Sequence, residues 1–68
     1  MSTTQTFTVT GMTCGHCVAS VTEEVQEIDG VESVAVDLPT GAVTVTSVAP
    51  LDESAVKAAV EEAGYQLT

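Results

Sequence analysis

Cys14 and Cys17 are the only thiols in the chain, three positions apart in Gly11-Met12-Thr13-Cys14-Gly15-His16-Cys17, with the single histidine between them. Two thiolates are soft donors, and soft donors select Cu(I) and related ions over Mg, Ca or Mn. Structural zinc wants four protein ligands, usually from two separated pairs; this sequence offers one pair and one His. An isolated two-thiolate site suits a low-coordinate ion, left open so that it can be handed on.

The same tetrapeptide, Cys-Gly-His-Cys, also suits dithiol–disulfide exchange, which needs a low-pKa thiolate at the start of a helix. Against that reading, Met12-Thr13 stands where thioredoxin-like proteins carry a Trp before the motif. The chain is also well short of a thioredoxin domain. A Cys14–Cys17 disulfide would close a tiny loop and staple nothing distant. Metal binding, redox exchange and incidental thiols therefore all remain open on the residues alone.

The pair needs a frame. Gln5 to Thr10 alternates, with Phe7 and Val9 on one face and Thr6, Thr8 and Thr10 on the other, which predicts a half-buried strand. Gly11 breaks it, and Met12 to His16 reads as a loop. From Cys17 the period changes: Val18, Val21, Val25 and Ile28 recur at helical steps, with Glu23, Glu24 and Glu27 off that face. Asp29-Gly30 ends this helix. Cys14 is thus expected in the loop and Cys17 in the first helical turn, where backbone N–H groups and the positive helix end favour thiolate over thiol.

Val31 to Leu38 and Ala42 to Val48 alternate around Pro39-Thr40-Gly41, a hairpin. After Pro50, Asp52 is a candidate N-cap and Glu53 a favourable first-turn acid. Val56, Ala59, Val60 and Ala63 form the apolar face of a second helix, Gly64 ends it, and Tyr65 to Thr68 suffices for a short edge strand. The order βαββαβ predicts an α+β, ferredoxin-like sandwich: two helices packed on one face of a four-stranded antiparallel sheet, whose Thr-lined outer face meets water. Residues 1–68 read as a single domain.

Composition narrows the function classes. The chain has 68 residues, one Lys, no Arg and ten acids, a formal charge of −9. Nucleic acid and anionic membrane surfaces need clustered cations and are excluded as partners. A domain this small buries only about 60% of its unfolded surface, which argues against a deep substrate pocket. No paired-carboxylate, Ser/His/Asp or phosphate-loop pattern suggests catalysis, so the chain is read as a non-enzyme. Neither a signal peptide nor a membrane-spanning run is visible, so a cytoplasmic location is expected.

Gly11-Met12-Thr13-Cys14-Gly15-His16-Cys17 resembles the Met-x-Cys-x-x-Cys signature of the heavy-metal-associated domain family. Gly30-Val31, Val34-Ala35-Val36, Gly41 and Ala63-Gly64-Tyr65 fit as well. That family includes CopZ-type bacterial copper chaperones and the N-terminal modules of copper-transporting P-type ATPases. The resemblance implies a ferredoxin-like fold, Cu(I) held by Cys14 and Cys17, and transfer to a copper-transporting P-type ATPase, a copper-responsive regulator or another acceptor. It also implies a copper-bridged homodimer as an accessible state, an inward-pointing Met12, and Tyr65 beside the metal loop. One departure concerns charge: family members commonly carry several lysines, and here Lys57 stands alone. His16 is either a solvated loop residue or a group tuning the thiolates. Met12 is read as an apolar anchor rather than a ligand, and Phe7 as core. The rivals to copper transfer are disulfide exchange, carriage of Zn, Cd or Hg, and a plain interaction domain.

Overall fold

A computed structural model describes residues 2–12 and 15–68 of the chain. Strand β1 spans Thr3–Thr10, helix α1 Gly15–Gln26, β2 Val31–Asp37, β3 Ala42–Ser47, α2 Glu53–Glu62 and β4 Gln66–Leu67. The strands form one sheet in the order β2-β3-β1-β4, with every neighbouring pair antiparallel. Both helices lie over one face, the α+β ferredoxin-like arrangement that the alternation of periods predicts.

Period-two patterning decides which side of the sheet each residue takes. Along β1, Thr4, Thr6, Thr8 and Thr10 face water, while Gln5, Phe7 and Val9 turn towards the helices. The register Thr4↔Thr46 and Thr6↔Thr44 continues the threonine face onto β3. On the inner side the fully enclosed residues are all valines: Val9, Val21, Val25, Val43, Val45, Val56 and Val60. A branched side chain that is stiff about χ1 loses little freedom on packing, and its small volume suits a thin layer between helix and sheet. Phe7 is half-buried at the rim of this layer, beside Ile28, Val34, Val36 and Leu51.

Boundaries differ from the periodicity at several places. Strand β1 begins at Thr3 rather than Gln5, because Thr3↔Ser47 and Thr4↔Thr46 extend its ladder with β3. Helix α1 starts at Gly15, two residues before Cys17, and its regular part ends at Gln26. Beyond Gln26 the hydrogen bonds tighten to three-residue steps, Glu27 N–H to Glu24 and Ile28 N–H to Val25, before Gly30 turns the chain at φ +93°. Strands β2 and β3 each stop one residue short, at Asp37 and Ser47, and β4 shrinks to two residues. Asp52 occupies the N-cap position of α2 with extended backbone, but its exposed carboxylate makes no capping hydrogen bond.

Two long-range fixtures hold the frame. Gln5 works as a surrogate strand: its Oε1 accepts from Leu51 N–H at 2.8 Å and its Nε2 donates to Leu51 O at 3.3 Å. This ties β1 to the segment leading into α2. In the β2–β3 turn, Gly41 (φ +75°) lies so close to β1 that a Cβ there would sit 2.5 Å from Val9 O. Val9 N–H donates to Gly41 O at 2.8 Å, and no side chain could occupy that approach.

Candidate metal site

The candidate chemistry sits where β1 leaves the sheet and α1 begins. Cys14 and Thr13 lie outside the described residues. Cys17 falls in the first turn of α1 and is 8% exposed, a sulfur held at the edge of the core. Gly15 and His16 precede it and are exposed. The first turn of α1 contains no acid, so nothing there opposes the partial positive charge of the helix N-terminus. Backbone N–H groups and dipole together favour an anionic sulfur in this position.

Met12 is half-buried and packs against the valine core. Its side chain belongs to the frame, which fits an anchor for the loop better than a metal ligand.

Tyr65 reaches the same region from the opposite end of the chain. Helix α2 closes in a Schellman motif: Tyr65 N–H donates to Val60 O at 3.1 Å and Gly64 N–H to Glu61 O at 2.9 Å. Gly64 takes the left-handed conformation this requires, at φ +95°. The chain is thereby turned into β4, and the ring of Tyr65 is brought against Gly11. A Cβ on Gly11 would lie 3.2 Å from Tyr65 Cδ1. The ring therefore sits beside the start of the loop while also packing on the core.

Gly11, Met12, His16, Cys17 and Tyr65 thus surround one junction. The acids stand elsewhere: Glu23, Glu24 and Glu27 further along α1, Glu53, Glu61 and Glu62 on α2. Among the described residues, no three His, Cys, Asp or Glu side chains gather as a metal cluster. None of the described helices is long and apolar enough to cross a membrane. Sequence reasoning missed the contact between Tyr65 and Gly11 as a geometric fact; the Gly-Tyr pair after an α2-type helix was its only local sign.

Comparison with known proteins narrows the reading. The heavy-metal-associated domain pattern matches residues 6–66. The copper chaperone CopZ of Enterococcus hirae is 42% identical, with 91% of each chain covered. Copper-transporting ATPase 1 of Rhizobium meliloti is 40% identical over 93% of this chain, which spans only 8% of that larger protein. A solved CopZ metallochaperone superposes with a TM-score of 0.89 at 36% identity, covering 97% of this chain and 100% of its own.

Proposed function

This chain belongs to the heavy-metal-associated domain family, and from that premise we propose that it is a copper chaperone holding Cu(I) between the thiolates of Cys14 and Cys17. The observation that carries the proposal is the placement of Cys17 in an acid-free first helical turn, 8% exposed, three residues after Cys14. Its similarity to copper chaperones over nearly its whole length supports the choice of metal.

Binding replaces two thiol protons with one Cu(I), so loading releases protons and strengthens as pH rises. Transfer goes by ligand exchange without change of oxidation state. An acceptor thiolate adds to the copper, giving a three-coordinate ion, and one original sulfur leaves. Cys14 is the sulfur that engages and releases first, and Cys17, seated against the core, is the anchored one. The acceptor is a copper-transporting P-type ATPase or another thiolate-bearing copper protein. A cytoplasmic setting keeps the pair reduced for this work. A formal charge of −9 requires the acceptor to present a basic, or at least less acidic, face. The same open pair can share copper with a second copy, giving a metal-bridged dimer.

An anaerobic Cu(I) titration against a competing chelator tests the proposal, run beside Zn(II) and a Cys14→Ser/Cys17→Ser double variant. Tight Cu(I) binding that the double variant loses is the expected result. Preference for Zn(II) would point to carriage of another soft metal, and Cu(I) binding that survives in the double variant would remove the site. Insulin reduction at a catalytic rate would favour the disulfide-exchange reading instead.

A further inference from the structure

The last residues of β1 are held differently from the rest of that strand. Its ladder with β3 pairs Thr3 through Thr8, ending at Thr8↔Ala42, and Val9 N–H makes one further bond to Gly41 O. Beyond that point the sheet partner of β1 is β4, through Val9↔Leu67 and Thr10↔Gln66. Side chains and the chain end reinforce the pairing: Thr10 Oγ1 donates to Gln66 O at 3.3 Å, and Thr68 N–H donates to Thr8 O at 2.9 Å. Thr10 leads directly into Gly11, and Gly11 lies under the Tyr65 ring at φ +95°.

We infer that β4 with Tyr65 is a strap that positions the Gly11–Met12 arm of the metal loop, and that its hold sets how fast the loop releases metal. Tyr65 is a positioning residue in this scheme, acting through Gly11 with the face of its ring. Gly11 has no side chain because a Cβ would press on Tyr65 Cδ1 at 3.2 Å and because its backbone is left-handed. Two paired residues at a sheet edge form the least secured element of the fold, and such elements open locally well before the core does. Opening β4 lifts the ring from Gly11 and removes the sheet partner of Thr10 together, which frees the arm without disturbing the valine layer. The part played by metal release rests on the copper reading above; the mechanical coupling does not.

The test compares Tyr65→Ala, Tyr65→Phe and Thr68→Pro with the parent protein. Amide hydrogen exchange is read residue by residue in the metal-free proteins, and Cu(I) release to a chelator in the loaded ones. Tyr65→Ala and Thr68→Pro are expected to speed exchange at Gly11 and Met12, and to speed Cu(I) release, by about two- to tenfold, the scale of one net hydrogen bond or its equivalent. Exchange at Val21, Val43 and Val45 should stay as in the parent, and Tyr65→Phe should restore the parent behaviour. Unchanged exchange at Gly11 and Met12 would overturn the strap. So would acceleration spread evenly through the core, or a Tyr65→Phe variant that behaves like Tyr65→Ala. Because the exchange measurement needs no metal, it judges the strap even if the parent protein fails to bind Cu(I), a failure that would fall on the proposed function.

Discussion

Helix α2 opens on Asp52 and Glu53, whereas the first turn of α1, built on Gly15, His16 and Cys17, contains no acid. In a chain with ten acids and one Lys, acids are the readiest way to stabilise a helix start, each worth about 0.3–1 kcal/mol there. Helix α2 takes that contribution through charge, since Asp52 makes no capping hydrogen bond. Helix α1 forgoes it. The difference assigns the two positive helix ends to different tasks: one is neutralised for stability, and the other is left for a sulfur anion. A carboxylate next to the cysteines would compete for the same N–H groups and repel the thiolates.

Substitutions break the contrast in graded steps. Cys17→Ser removes the anion that α1 is arranged to hold, and it should take Cu(I) binding out of the measurable range of a chelator competition while leaving the fold intact by circular dichroism. His16→Glu makes the start of α1 resemble that of α2. It should weaken Cu(I) binding by about tenfold, the order expected for a like charge within one helical turn in a solvent-accessible setting. Salt should recover part of the loss, because the added charge is exposed. The chain's overall acidity gives a milder effect: transfer to a basic acceptor should slow as ionic strength rises, read as a fall in second-order rate in stopped-flow. The smallest change is on the other helix. Glu53→Gln should cost about 0.3–1 kcal/mol in denaturant unfolding and leave Cu(I) affinity as in the parent.

The chemistry-bearing junction was readable from sequence because it is local. Gly11 ends one periodicity, the valines after Cys17 begin another, and a loop-to-helix corner must lie between them. All six elements follow in order from the same logic. Their edges moved where a distant partner decides the matter: Thr3 and Thr4 join β1 because Ser47 and Thr46 lie opposite, which no local pattern announces. Helix α1 gained Gly15 and His16, residues that carry no hydrophobic period of their own. The Gln5–Leu51 clamp and the seat of Gly41 on Val9 join residues more than 30 positions apart, so their types are visible in the sequence but their pairing is not. Phe7, expected as core, lies at its rim, since a layer this thin is filled by valines.

Tyr65 shows the boundary most clearly. The Gly64 stop was legible, and the Schellman closure follows from a glycine past a helix end. That the turned chain then lays an aromatic ring on Gly11 depends on β4 pairing with β1 rather than with the far edge of the sheet.

The central claim, two sulfurs and nothing else around one Cu(I), is tested most directly by copper X-ray absorption. The sample is protein loaded to one copper per chain in thiol-free, anaerobic buffer. The account predicts a first shell of two sulfur scatterers with no nitrogen, lost in the Cys14→Ser/Cys17→Ser variant. A nitrogen in that shell, or the same spectrum from the double variant, would contradict it.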